Sequence, residues 1–269
     1  FTSIGRRLFG EDFKAGRGGG SLKSEVQSPK STAGAPGERE AEQLVLVSEM
    51  EGGAVEEKPK PVAAAANPKT ITDVPHQYHL VASAADRAKL IQTLQKLECF
   101  CFDTETTGLD PKEARLVGLA FSFAPHTGYY VPLPPDDGSP QLRTPHSAPR
   151  TSPILDEFRS VLESDRIEKV GHNLKFDLSV LKWQGVSVGG KLFDTMVAHS
   201  LIEPEMRHGM DYLSEVYLGY TPVPISKLIG DAKAGQVNMA DVPVAAVAEY
   251  SAEDADVTWQ LRAALDAAT

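Results

Sequence analysis

Apolar residues settle into a regular pattern from about Tyr78 onward. His79 to Ala82 reads as a short strand, and Ser83 follows as a helix N-cap with Asp86 at the third helical position, a variant of the capping box. Leu90, Leu94 and Leu97 then recur at helical spacing. Cys99-Phe100-Cys101-Phe102 is a short unbroken apolar run of the kind that forms a central strand. Arg115 to Phe123 and Gly128 to Leu133 read as two further strands separated by turn residues. Pro134 to Pro153 is a long Pro-, Ser- and Asp-rich loop, and Ile154 to Glu163 reads as a helix. Lys169 to Gly171 gives a fifth strand and Asn173 to Trp183 a helix; after Leu192 the pattern is mostly helical, broken at Gly219 to Pro224. Strands followed by helices, with β-α alternation between, predict an α/β fold on a mixed sheet.

The first seventy residues follow no such pattern. Residues 1–13 have scattered apolar positions that suit one amphipathic helix. Residues 14–70 turn to Gly, Ala, Ser, Pro and Glu and read as a flexible linker, with one short helix around Ala41 to Met50. Such a composition buries too little apolar surface to offset its chain entropy. Gly18 to Gly20 does not make a phosphate loop, because no strand precedes it and no Lys-Ser/Thr follows in register. The ordered domain is therefore expected over residues 71–269. The chain opens on Phe1 and not on a start methionine, which we read as an artificial boundary or an interior cut.

Charge sharpens this division. The net charge is −10, and because residues 1–70 carry equal numbers of acids and bases, all of it falls on the ordered part. That argues against a broad electrostatic grip on duplex DNA, but not against an enzyme that reaches a few nucleotides through metal ions. No run of eighteen or more apolar residues is present to span a membrane. Cys99 and Cys101 are the two cysteines; with no further Cys or His ligands at metal spacing, they read as buried thiols in a reducing cytoplasm.

Three groups carry chemistry. Asp103 and Glu105 lie two apart at the end of the central strand, so both carboxylates project to one face. Like charges that close are costly unless a cation neutralises them. In Gly171-His172-Asn173-Leu174-Lys175-Phe176-Asp177, Asn173 and Asp177 share a helix face. Tyr250 and Asp254 stand in the same relation within Tyr250-Ser251-Ala252-Glu253-Asp254-Ala255-Asp256. Each group has an ordinary alternative: strand-end acids, a helix N-cap with a first-turn acid, and a half-buried tyrosine beside a solvated acidic face.

Together, in this order, the set resembles the Tyr-containing DEDD exonucleases, and FDTETTGLD, VGHNLKFD, FDTM, GMDYLSEVYLGY and YSAEDADVTWQL resemble the 3′→5′ proofreading domain of bacterial family A DNA polymerases. The resemblance covers Tyr78 to the C-terminus, and residues 1–13 are similar to the tail of a preceding 5′-nuclease domain. It implies a ribonuclease H-like fold with a five-stranded mixed sheet flanked by helices. It implies that Asp103, Glu105, Asp177 and Asp254 bind two divalent ions, Mg²⁺ or Mn²⁺, and that Tyr250 orients the attacking water. By the same resemblance Thr106, Leu109, His172, Asn173 and Phe176 lie along the terminal nucleotides, with Leu109 wedged against the last base; His172 departs mildly, since a neutral amide is also found at its position. The implied substrate is a single-stranded or frayed DNA 3′ end, released as nucleoside 5′-monophosphates. The implied setting is the cytoplasm, at the nucleoid, with a polymerase domain covalently attached; a monomer is expected because no amphipathic stripe is left over for a partner. A hard-oxygen ligand set suits Mg²⁺ or Mn²⁺. An RNA-trimming exonuclease similar to ribonuclease D, and an inactive domain that braces a polymerase, are the alternatives.

Overall fold

The computed structural model describes residues 67–133, 152–231 and 235–266. The helix expected in residues 1–13, the linker as far as residue 66, the short helix around Ala41 to Met50 and most of the Pro134–Pro153 loop lie outside the described residues.

Among the described residues six strands form one mixed sheet: β1 (Gln77–Leu80), β2 (Cys99–Thr106), β3 (Leu116–Ala124), β4 (Thr127–Pro132), β5 (Glu168–Gly171) and β6 (Leu192–Asp194), in the order β1-β4-β3-β2-β5-β6. β2 and β4 run antiparallel to β3, while β1 on β4, β5 on β2 and β6 on β5 pair in parallel. The architecture is the expected α/β fold, with one strand more than the five anticipated. The addition is β6, whose three residues are too few to show a period.

The helices are α1 (Ala84–Leu94), α2 (Pro153–Glu157), α3 (Arg159–Leu162), α4 (Leu174–Trp183), α5 (Thr195–Ile202), α6 (Met210–Leu213), α7 (Ser226–Ile229) and α8 (Val244–Asp266), with a π-turn at Ser214–Leu218 and a 3₁₀ turn at Met239–Asp241. Ser83 caps α1 as its sequence suggests, its Oγ accepting the Asp86 N–H at 3.1 Å. The single helix expected over Ile154 to Glu163 is instead two short ones that meet at Phe158, whose backbone stays in the right-handed region (φ −88°, ψ −5°) and whose buried ring stacks on Phe121.

β2 divides the core. Phe100 and Phe102 face one side, among Leu94, Leu119, Phe121, Phe158, Leu162, Leu174 and Leu181. Cys101 faces the other, with Ala120, Tyr130, Val170, Val247 and Ala255. Alternation along the strand carries this two-sidedness to its end, so Asp103 and Glu105 continue toward α8 and Thr104 toward α4. Helix α8 lies close on the sheet. A Cβ added at Gly128 would come within 2.5 Å of the Ala252 carbonyl oxygen, so the Gly128–Ala252 pairing sets the approach. Cys99 and Cys101 are free thiols, and burial pushes the Cys99 thiol up to about 11. Lys69, at the end of the expected linker, joins the fold through its N–H to Gly219 O and its carbonyl to Thr221 N. Among the described residues no helix is long and apolar enough to cross a membrane.

Candidate active site

The end of β2 gathers carboxylates from both faces of the sheet. On the α8 side, Asp103, Glu105 and Asp254 each place a carboxylate oxygen within 4.8 Å of the other two. Asp254 reaches the strand because α8 packs directly over β2 and β3. From the other side comes Asp177, one turn into α4. Its Oδ1 accepts both the Thr104 N–H at 3.1 Å and the Thr104 hydroxyl. The two sides meet electrostatically: after burial, the strongest influence raising the Asp103 pKa is Asp177, followed by Glu105 and Asp254.

Burial and mutual repulsion push the whole set toward the protonated form. Asp103 and Asp254 are raised well above the ordinary carboxylate range, chiefly by desolvation. Asp177 is pushed up to about 7 by desolvation, against the downward pull of the Thr104 hydrogen bonds. Glu105 is raised by burial and lowered by the Ser251 hydroxyl, which donates to its Oε1 at 2.7 Å. Asp254 Oδ1 is buried without a hydrogen-bond partner. Buried acids with neutralising partners lacking are stable as a group when a cation joins them. The donor set is all hard oxygen, which fits a divalent cation such as Mg²⁺ or Mn²⁺ and not a soft metal.

Tyr250 lies one helical turn before Asp254, and its phenol is raised above its usual pKa by burial first and then by the Asp254 charge. It stays protonated at any physiological pH and acts as a hydrogen-bond donor. The remaining anticipated residues lie on the two chain segments that carry Asp103, Glu105 and Asp177. Leu109 projects from the turn after β2 at 91% exposure, as an unsatisfied apolar side chain. The Thr106 hydroxyl folds back to Gly108 O at 2.9 Å. Phe176 is half-buried on the first turn of α4. His172 Nδ1 is hydrogen-bonded to Thr195 Oγ1 at 2.8 Å while its Nε2 is buried without a partner; burial drives its pKa down to about 4, so the ring is neutral. Asn173 occupies the N-cap position of α4, but in left-handed geometry (φ 61°, ψ 41°) and without capping the helix through its side chain. The ordinary N-cap reading of its amide is thus excluded.

The solvated acidic face considered for α8 is likewise excluded: Glu253, Asp254 and Asp256 are all buried, at 0%, 8% and 2% exposure. Two residues that support the site were not singled out from the sequence. Thr104 points to the opposite face from its acidic neighbours, and strand alternation was the available signal. Ser251 sits three residues before Asp254, on the same face of α8.

Comparison with known proteins agrees with this geometry. Residues 78–268 match a family model described as a 3′-5′ exonuclease. The chain is 30% identical over 185 residues to DNA polymerase I of Borreliella burgdorferi (69% of this chain, 19% of that protein). It is 36% identical over 172 residues to DNA polymerase I of Rhizobium leguminosarum (60% and 17%) and 32% identical over 201 residues to that of Chloroflexus aurantiacus (74% and 20%). The chain thus spans about a fifth of the length of the curated relatives it matches. Among solved structures, Trypanosoma brucei RNase D shares the fold with a TM-score of 0.54 at 18% identity, covering 71% of this chain and 66% of that one.

Proposed function

This chain belongs to the 3′-5′ exonuclease family of A-type DNA polymerases, and from that premise we propose that it trims DNA 3′ ends at the β2 carboxylate cluster, proofreading for an attached polymerase. It is a hydrolase of phosphodiester bonds. The observation that carries the assignment of the site is the gathering of Asp103, Glu105 and Asp254 within 4.8 Å, with Asp177 fastened to the intervening Thr104.

In this reading Asp103, Glu105, Asp177 and Asp254 hold two divalent ions, Mg²⁺ or Mn²⁺. Bound there, such ions would supply Lewis-acid chemistry, lowering the pKa of a water and offsetting negative charge on the phosphate and the leaving oxygen. The protein's own groups do the rest. Tyr250 donates a hydrogen bond that aims the attacking water, and its raised pKa keeps that proton in place. Ser251 fixes the rotamer of Glu105, and Thr104 that of Asp177. Asn173, neutral His172, Thr106 and Phe176 lie along the terminal nucleotide, and the exposed Leu109 packs on its base without reading sequence. Frayed or mispaired termini are favoured because they separate at lower cost. The substrate is accordingly a single-stranded or frayed 3′ end, and the product a nucleoside 5′-monophosphate. The setting is the cytoplasm, at the nucleoid, with the protein acting as a monomer joined to its polymerase.

The test is digestion of a 5′-labelled single strand with Mg²⁺ or Mn²⁺, beside Asp103→Ala and an RNA of equal sequence. A ladder shortening from the DNA 3′ end, absent in the variant and weaker on RNA, is expected. Faster digestion of RNA would assign a ribonuclease. No cleavage by folded protein with either metal would leave only a bracing role.

A further inference from the structure

Two strand-to-helix corners lie side by side next to the site, and one carboxylate serves both. β5 ends at Gly171 and turns through His172 and Asn173 into α4; β6 ends at Asp194, directly opposite Gly171 in register, and enters α5. Asp194 Oδ1 accepts the N–H groups of Asn173 at 3.0 Å, Met196 at 2.9 Å and Val197 at 3.3 Å, and its Oδ2 accepts the N–H of Leu174 at 2.8 Å. A helix start leaves up to four backbone N–H groups without partners, and a carboxylate there also meets the positive end of the dipole. Asp194 does this for two helices at once.

The arrangement moves the capping of α4 away from its own N-cap residue. Asn173 holds a left-handed backbone, a conformation that few non-glycine residues adopt and that Asn tolerates best. The grip of Asp194 on the N–H groups of Asn173 and Leu174 constrains that backbone, and it leaves the Asn173 amide unused for capping. The next residue completes the clasp: Thr195 Oγ1 bonds His172 Nδ1 at 2.8 Å and Gly171 O at 3.2 Å. His172, Asn173 and Leu174 are therefore all held from Asp194 and Thr195. Asp177 follows one turn later, where its Oδ1 meets Thr104.

We propose that Asp194 is a positioning residue for the hydrolysis, setting the β5–α4 turn so that Asp177 meets the metal cluster and Asn173 faces the nucleotide. The proposal rests on the exonuclease reading of the site. A displacement of about 1 Å at such a site can cost on the order of 10²-fold in rate, and partners that orient ligands typically contribute 10- to 100-fold in metal affinity or activity. Simple capping, by contrast, would affect stability alone.

The test compares Asp194→Ala, Asp194→Asn and, as a capping loss distant from the site, Ser83→Ala at the start of α1. Melting temperature, Mn²⁺ affinity by electron paramagnetic resonance without DNA, and kcat and KM on a single-stranded oligonucleotide are read at a temperature where each variant is folded. Asp194→Ala is expected to weaken Mn²⁺ binding and lower kcat, each by about 10- to 100-fold. Asp194→Asn, which keeps one acceptor oxygen, falls between it and the parent. Ser83→Ala loses stability but keeps the parent's affinity and kcat. Parental affinity and kcat in Asp194→Ala, or equal losses in Ser83→Ala, would overturn the proposal. Should Asp194→Ala not fold, Asp194→Asn decides on the same readings. Should the parent release no nucleotides, the exonuclease reading fails while the Mn²⁺ affinities still decide the role of Asp194.

Discussion

Helix α8 buries two kinds of acid within four residues. Glu253 and Asp256 are met on every side by protein donors: Tyr220 and Val223 N–H for Glu253, and Tyr78, His126 N–H and Gln260 for Asp256. Asp254, between them, faces other carboxylates and leaves Oδ1 without a partner. All three carboxyls are raised by burial. The difference lies in what answers the burial. Glu253 and Asp256 fasten the segments carrying Tyr78, His126, Tyr220 and Val223 to α8, so their donors are part of the fold. Asp254 stands instead among Asp103 and Glu105, and in the proposed reading a cation supplies the charge that these carboxylates lack.

Substitutions can separate the two kinds. The largest effect is expected from Asp254→Asn, which should lower kcat on the order of 10³-fold, about 4 kcal/mol in barrier. Its melting temperature in a chelator should equal or exceed the parent's, since a neutral amide replaces a carboxyl whose charged form burial and Glu105 disfavour. Asp256→Ala should do the reverse. Loss of its hydrogen bonds to Tyr78, His126 and Gln260 should cost about 3 kcal/mol in urea unfolding, with kcat per folded molecule near that of the parent. A destabilised Asp254→Asn with full activity would break the contrast.

The smaller effect concerns pH. The Asp177 carboxyl is raised from 3.8 to about 7 in the folded protein, so the folded state binds the proton more tightly than the unfolded one. Its contribution to stability is complete below the unfolded pKa and is lost as pH rises through about 7. The melting temperature in a chelator should therefore fall by a few degrees between about pH 5 and pH 8. Saturating Mn²⁺ should reduce that fall, because the metal binds the deprotonated site. An equal fall with and without metal would show that Asp177 takes no part in binding it.

Much of this was legible in the residues. The apolar runs located β2 to β5 to within a few positions, because buried strands declare themselves by composition. β2 nonetheless runs four residues beyond its apolar stretch, through Asp103 to Thr106, since its polar end is buried by α4 and α8 and not by its own hydropathy. Of the residues that the motifs single out, Asp103, Glu105 and Asp254 converge within 4.8 Å although Asp254 lies far along the chain from the other two. What the sequence hid were partners distant along the chain. Asp194 lies in the FDTM segment that shares in the resemblance, but nothing local gives it a role until β6 places it beside Gly171. Likewise nothing local tells Asp256 from Asp254, because Tyr78 and His126 lie more than a hundred residues away.

The most direct measurement is Mn²⁺ binding, followed by electron paramagnetic resonance, to the parent, Asp254→Asn and Asp256→Asn proteins without DNA. If the unanswered carboxylates form the metal site, Asp254→Asn should weaken binding by at least about tenfold, and Asp256→Asn should match the parent. Equal affinities for the parent and Asp254→Asn, or a loss confined to Asp256→Asn, would contradict it.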